Sequence, residues 1–252
     1  MDKLAIVTGA SSGIGKATAR RLAKLGYNLV ITARRRERLE QLSEELISTY
    51  GIKVQILNFD VRDKDATERE LNNIDKSLGQ VCVLMNNAGL AAGLEHIDQG
   101  STDDWDRMID TNVKGVLYVT RIVSKMMIEA GGGHIFNVGS IAGIQTYENG
   151  AVYCASKHAM HALSQGMRID FLKYGIKVTE LRPGMVETEF STVRFHGDQE
   201  RADNVYKGVT PLVGDDIAAV IEYCLSLPAH VNLNDIEIMP TQQANAFYTH
   251  RN

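Results

Sequence analysis

The sequence predicts an α/β fold, one parallel sheet with helices packed on both of its faces. Three observations carry that expectation. Short β-branched runs alternate with longer amphipathic stretches almost to the end of the chain, as in repeated strand–helix–strand units. The 252 residues are 44% apolar, enough to form a core, at a length single α/β domains commonly reach. No Ser/Pro/Gly-rich linker interrupts the chain, which holds four prolines, so residues 1–252 read as one domain.

The first strand is expected at 4–7 (Leu-Ala-Ile-Val), followed directly by Thr8-Gly9-Ala10-Ser11-Ser12-Gly13-Ile14-Gly15 and a helix at 16–25. Glycines at such a junction let the backbone turn sharply and approach a pyrophosphate. The helix N-terminus adds unpaired N–H groups and a positive dipole end. The spacing is Gly-x3-Gly-x-Gly, not Gly-x-Gly-x2-Gly, and no Gly-Lys-Ser/Thr follows to make a P-loop. A nucleotide site formed by Gly9, Ser11, Ser12, Gly13, Ile14 and Gly15 is the reading.

The second strand, 29–32, runs into Ala33-Arg34-Arg35-Arg36 and a helix at 37–49, where Leu39 and Leu42 mark one buried stripe. An acidic residue here would hold the ribose 2′-hydroxyl of NAD, whereas arginines pair with a 2′-phosphate. Arg34 and Arg35 therefore point to NADP(H), while Arg36 reads as a solvated charge at the helix start. After the third strand, 54–57, Asp60-Val61 offers a carboxylate to an adenine amine. A helix at 65–77 and a strand at 81–85 follow. That strand ends in Asn86-Asn87-Ala88-Gly89, small residues whose backbone suits the wall of an adenosine pocket.

A long helix at 105–129 carries Asn112 among Val, Leu and Ile. Gly131-Gly-Gly133 stops it before the fifth strand, 134–138, beyond which stands Ser140. The helix at 153–174 places Tyr153 and Lys157 four apart, on one face. A free tyrosine has a pKa near 10 and is a poor base. A nearby ammonium is expected to pull that value down, and Ser140 to hold a substrate oxygen opposite the phenol. The sixth strand, 177–181, leads to Pro183-Gly184. The polar segment 187–212 breaks the alternation and suits a loop or small lid. A helix at 215–227, a strand at 236–239 and a polar tail with Phe247 and Tyr248 complete the chain.

Charge and composition narrow the function. With 27 Lys+Arg against 31 Asp+Glu, the net charge of −4 gives no footprint for nucleic acid or an anionic membrane. No stretch approaches the roughly eighteen apolar residues a spanning helix needs. The first strand begins too early for a signal peptide, and three scattered cysteines make no disulfide framework. None of the seven histidines forms a ligand pair at useful spacing, so no metal is expected. A soluble cytoplasmic protein is expected.

Taken in order, Thr8-Gly-x3-Gly-x-Gly15, Asn86-Asn-Ala-Gly89, Asn112, Ser140, Tyr153-x3-Lys157 and Pro183-Gly184 resemble the short-chain dehydrogenases/reductases across nearly the whole chain. The resemblance implies a Rossmann-type, doubly wound parallel sheet of about seven strands. It also implies Tyr153 as general acid/base, Ser140 polarising the carbonyl, and Lys157 bonding the nicotinamide ribose. Asn112 would hold a water in a proton relay. Pro183, Gly184, Val186 and Thr188 would meet the nicotinamide carboxamide, with Asn87, Ala88 and Gly89 lining the cofactor. Tetramers through the helices at 105–129 and 153–174 and the last strand are implied as well.

The tracts 87–93, 188–198 and 228–234 are similar to the NADP-dependent 3-hydroxy acid dehydrogenases, which implies hydride exchange with serine, threonine, 3-hydroxyisobutyrate or malonic semialdehyde. Gln145-Thr-Tyr147-Glu-Asn-Gly150 would border the substrate, with Tyr147 in contact. A carboxylate needs a cation. Arg194 in the lid segment is the first candidate and Arg182 the second, each set against a surface ion pair. Two alternatives stand beside this reading. One is a broad carbonyl reductase with an apolar substrate wall; the other is a non-catalytic NADP(H)-sensing protein, which would not need the Tyr/Lys pair.

Overall fold

The computed structural model describes residues 2–252. Strands β1 (Lys3–Thr8), β2 (Asn28–Ala33), β3 (Val54–Asn58), β4 (Gln80–Asn86), β5 (Gly133–Val138) and β6 (Ile176–Pro183) belong to the main sheet. β7 (Val186–Glu187) and β8 (Leu212–Val213) form a separate two-stranded ribbon, and β9 (Asp235–Ile238) closes the main sheet. All seven main strands are parallel, in the order β3-β2-β1-β4-β5-β6-β9. This is the single Rossmann-type sheet expected.

Helices follow in chain order: α1 (Gly13–Lys24), α2 (Arg36–Tyr50), α3 (Lys64–Asn72), α4 (Thr102–Ile109), α5 (Val116–Glu129), α6 (Ala151–Phe171), α7 (Phe190–Arg194), α8 (Gln199–Tyr206) and α9 (Gly214–Ser226). The period of two in β1 decides which layer each residue feeds. Ala5 and Val7 join Leu22 of α1, Leu39 and Leu42 of α2 and Ile217 of α9 in one core cluster. Leu4 and Ile6 join Leu71 of α3, Val119 and Val123 of α5 and Met160 of α6 in the other. Both faces of a parallel sheet are thereby covered.

Strand order reverses between β1 and β4, and ligands of open α/β sheets bind beyond the carboxyl ends of the strands at such a crevice. Thr8 fixes that crevice. Its hydroxyl donates to Met85 O (3.1 Å) and accepts from Asn87 N and Ala88 N (3.0 Å each), tying the ends of β1 and β4 together.

Three elements differ from the sequence reading. The helix expected at 65–77 ends at Asn72, and a 3-10 turn, Lys76–Leu78, follows, capped by the Asp75 side chain. Asn and Asp bond nearby backbone in competition with the helix, which ends it early. The helix expected at 105–129 starts at Thr102 behind an Ser101 cap, and Asp110–Gly115 is a π-helical turn. A side chain at Gly115 would put Cβ 2.8 Å from Val61, so the turn is pressed against the loop after β3. The 187–212 segment holds α7 and α8, and the β7–β8 pair clasps its base. No described helix is long and apolar enough to cross a membrane.

Candidate active site

A cavity of about 660 Å³ opens at the β1/β4 crevice. Gly9, Ser11, Ser12, Gly13 and Ile14 form one wall, at the start of α1. Gly9 and Gly13 have φ of +66° and +52°, a left-handed backbone that side chains resist, and a Cβ at Gly13 would lie 2.9 Å from Thr188. Ser12 precedes the helix without a side-chain cap, leaving first-turn N–H groups for a ligand. Gly15 stands behind this wall, where a Cβ would sit 2.5 Å from Asn87 Nδ2 and from Gly9 O.

Arg34, Arg35, Asp60 and Val61 line the next part of the cavity, beyond β2 and β3. The Arg35 guanidinium donates to the hydroxyls of Ser11 (3.0 Å) and Ser12 (3.0 Å), so the side chain is fixed over the glycine turn. Arg34 is more open, 3.9 Å from Asp60. Asp60 receives three bonds from Arg62; although burial opposes it, these hold its carboxyl below the usual range. Arg36 faces solvent and pairs with Glu40 one turn on, as expected of a solvated charge. Asn87, Ala88 and Gly89 form the floor, with Asn87 Nδ2 donating to Thr8 O (2.9 Å) and Gly9 O (3.1 Å). These donors and this turn fit an adenine dinucleotide with a 2′-phosphate.

Ser140, Tyr153 and Lys157 line the same cavity, as do Pro183, Gly184, Val186 and Thr188. The Ser140 oxygen accepts from Ala142 N (3.1 Å), which leaves its O–H free to donate. Burial pushes the Tyr153 phenol above its ordinary value, and the neighbouring Tyr147 adds to this; the Ser140 hydroxyl and Arg194 pull it partly back. That corrects the expectation that Lys157 lowers it. Lys157 Nζ donates to Val138 O (2.8 Å) and stands 5.9 Å from the tyrosine ring centre. Burial lowers the lysine itself to about 8, against a smaller opposing effect of Glu180.

Asn112 lies on the π-helical turn, outside the cavity wall. Its amide accepts from Leu90 N (2.9 Å) and donates to Leu90 O (2.8 Å) and Ser156 Oγ (3.0 Å). A Cβ at Gly89 would lie 3.2 Å from Asn112 Oδ1 and 3.7 Å from Lys157 Nζ, so both groups approach that glycine.

The two candidate arginines separate cleanly. Arg194, at the end of α7, lines the cavity; Nε donates to Gly93 O (3.1 Å) and Nη1 to the Tyr147 hydroxyl (3.1 Å). Its Nη2 is buried with no partner among the described residues. Arg182 lies on β6 outside the cavity and bonds Glu180 (3.0 Å) and Asp235 (2.9 Å), so the ion-pair alternative holds for it. Register decides this, because strand neighbours point to opposite faces.

Residues 3–199 match the short chain dehydrogenase family, more than half of the chain. The chain belongs to the short-chain dehydrogenase family. A sulfoacetaldehyde reductase of Chromohalobacter salexigens is 43% identical over 97% of this chain and 96% of its own. An NADP-dependent 3-hydroxy acid dehydrogenase of Salmonella typhi is 42% identical over 96% of this chain and 97% of its own. A solved closed form of serine dehydrogenase complexed with NADP+ superposes with a TM-score of 0.92. It is 40% identical, covering 99% of this chain and 100% of that one.

In this short-chain dehydrogenase the cavity wall also includes residues the sequence did not single out for the site, Glu189, Phe190 and Phe247 among them. Phe190 meets the Tyr153 ring edge-on, 5.7 Å between centres. Glu189 pairs with Arg35 and Arg38 across the lid. The polar tail that carries Phe247 and Tyr248 folds back onto its own chain. Ala246 N donates to Gln145 (2.9 Å), Gln243 accepts from Met185 N (2.8 Å), and Asn252 N donates to Gly208 O (3.0 Å). Phe190 and Phe247 are apolar residues in polar segments, the one hint of them the sequence offered.

Proposed function

We propose that this chain is an NADP(H)-linked oxidoreductase that interconverts a small anionic hydroxy compound and its oxo form, a 3-hydroxy acid and its 3-oxo acid foremost. The observation that carries the reading is Arg194: a guanidinium in the cavity wall, with one nitrogen buried and unpartnered, beside Tyr147 and within 5.8 Å of the Tyr153 ring. A buried donor without a partner is costly, so an anionic ligand that pairs with it gains that much affinity.

When bound, the dinucleotide supplies or takes the hydride at its nicotinamide. Gly9, Ser11, Ser12, Gly13 and Ile14 hold the pyrophosphate, Arg34 and Arg35 the 2′-phosphate, and Asp60 and Val61 the adenine. Asn87, Ala88 and Gly89 shape the adenosine floor. Gly15 keeps the helix tight against that floor. Pro183, Gly184, Val186 and Thr188 hold the carboxamide end.

Tyr153 moves the proton. Its raised pKa keeps the phenol protonated at neutral pH, the state that donates to the substrate oxygen in reduction. Ser140 donates to the same oxygen, and Lys157 bonds the ribose. Asn112 positions Leu90 and Ser156 beside the lysine, on the path of the proton relay. Tyr147 and Arg194 orient the acidic group.

A guanidinium pairs with a sulfonate as with a carboxylate, and the 43% identical sulfoacetaldehyde reductase supports a sulfonated aldehyde as the second reading. Rates at 340 nm with NADP and NAD, on L-serine, 3-hydroxyisobutyrate, 2-hydroxyethanesulfonate and 2-propanol, separate these. NADP-dependent turnover of the carboxylates is expected. Turnover of 2-propanol alone would move the enzyme to the general carbonyl reductases, and cofactor binding without turnover of any of them would favour the sensing protein.

A further inference from the structure

Glu180 departs from the pattern of its strand. β6 runs between β5 and β9, where a parallel strand is expected to be apolar on both faces. The period of two sets Val178, Glu180 and Arg182 on one face. Val178 packs in the core shared with α6, yet the next residue on that face is a fully buried carboxylate. Register adds to the cost, because Glu180 is paired with Asp235 of β9. Two guanidiniums offset this. Arg182 Nε donates to Glu180 Oε2 (3.0 Å) and Nη2 to Asp235 (2.9 Å), and Arg168 of α6 donates to Asp235 (2.7 Å). His161 Nδ1 lies 2.7 Å from Glu180 Oε2 and 2.8 Å from Arg182 Nη2. His161, Glu180 and Asp235 bring ligand atoms within 4.8 Å of one another, but both carboxylates already bond guanidiniums, so protein cations stand where a metal would.

One oxygen of Glu180 stays outside this network. Oε1 is buried with no partner among the described residues. It is turned to Gly139, where an added Cβ would collide with it and lie 3.1 Å from Glu180 Cδ. Gly139 joins Val138, whose carbonyl accepts from Lys157 Nζ (2.8 Å), to Ser140. We infer that Glu180 is a positioning residue, a buried counter-charge behind Gly139 that keeps Lys157 an ammonium beside Ser140 and Tyr153. The inference rests on the role given to Lys157 in the proposed function. Among titratable groups, Lys157 meets Tyr153 one turn back on α6 and the field of Glu180 from β6. Glu180 in turn meets Arg182 on its own strand, His161 on α6 and Asp235 on β9. Burial works against the Lys157 ammonium and brings it to about 8, while Glu180 acts in the opposite direction. Loss of the Glu180 charge therefore moves Lys157 further down, towards the neutral amine at neutral pH. A neutral amine gives no positive charge to draw the proton from Tyr153.

Competitive labelling with trace acetic anhydride, read by mass spectrometry across pH, follows the neutral amine of Lys157 in the full chain. In the unaltered protein the midpoint is expected near pH 8. Glu180→Gln keeps the shape and removes the charge. It should move the midpoint down and raise Lys157 labelling about fivefold at pH 7 against surface lysines, the scale of one nearby charge. Glu180→Asp keeps the charge and gives up a methylene, so it should label like the unaltered protein although it is less stable. A packing role gives the reverse order, since the shortened side chain leaves a cavity and the amide does not. Glu180→Met, neutral and of similar volume, answers the same question if the amide unfolds the protein. In NADPH-linked reduction of malonic semialdehyde and of sulfoacetaldehyde, the alkaline loss of rate should set in at lower pH for Glu180→Gln. An unmoved labelling midpoint in a folded neutral variant overturns the inference and leaves the role of Lys157 standing. A moved midpoint with an unmoved reduction profile overturns the role of Lys157 and the inference with it.

Discussion

Replacing Arg194 with Gln keeps a hydrogen-bonding side chain of smaller reach but removes the cation from the substrate end of the cavity. The guanidinium makes two bonds, to Gly93 O and the Tyr147 hydroxyl, and holds a third nitrogen buried without a partner. A hydrogen bond to a charged partner contributes about 1.5–3 kcal/mol. For an anionic substrate seated on Arg194, a loss of about 2–3 kcal/mol corresponds to a fall of roughly 30–150-fold in kcat/KM. Fold integrity should survive, because Gly93 N still donates to the Arg194 backbone oxygen (2.9 Å). A second signature separates this from general damage. Arg194 helps pull the Tyr153 pKa down, so its loss raises that pKa, and the pH at which alcohol oxidation sets in should move upward. The assay is kcat/KM at 340 nm for 3-hydroxyisobutyrate and for an uncharged secondary alcohol, each across pH. Equal loss on both substrates at the pH optimum would refute carboxylate recognition by Arg194.

Tyr153→Phe should abolish turnover yet leave NADPH binding within about twofold by fluorescence titration, since the change removes one hydroxyl. In the unaltered enzyme the raised phenol pKa gives a definite sign: oxidation needs the deprotonated form and must rise with pH, while reduction needs the protonated form and must not. A flat oxidation profile from pH 7 to 10 would remove Tyr153 as the base. Arg35→Ala should cost roughly 10–100-fold in NADPH affinity with little change for NADH, the scale of charge-assisted phosphate contacts; an unchanged ratio excludes it from the 2′-phosphate site. Gly9→Ala puts a side chain at φ +66°, with Cβ 2.8 Å from Asn87 Nδ2 and 3.0 Å from Ala88 Cα. The strain, about 1–2 kcal/mol for the backbone alone, should lower Tm by roughly 2–8 °C, read by calorimetry.

Much of this protein was legible before any coordinates, because its determinants are local. Strands at 4–7 and 134–138 read from β-branched runs, and Tyr153 and Lys157 share a face whatever surrounds them, since four residues is one helical turn. The glycine turn reads for a similar reason: Gly9 and Gly13 are needed for their own dihedral angles. Even the choice of Arg34 and Arg35 rests on a fixed offset from that turn. Helix ends and the π-helical turn at Asp110–Gly115 read poorly, since side-chain caps and a close approach to Val61 decide them over the apolar period.

What the sequence determined by itself is therefore the architecture and the candidate groups, the doubly wound sheet, the glycine turn and the Ser140, Tyr153 and Lys157 that line one cavity. The tertiary structure alone decided who meets whom across it. It put Arg194 in the cavity and Arg182 in an ion-pair network, joined Glu189 to Arg35 and Arg38, and folded the tail back over Gln145. It also reversed the expected direction of the Tyr153 shift, since burial depends on every layer packed around a group and leaves no mark in the residues beside it. Contacts between residues a hundred or more apart depend on strand order, register and the path of the lid, and no local period encodes them.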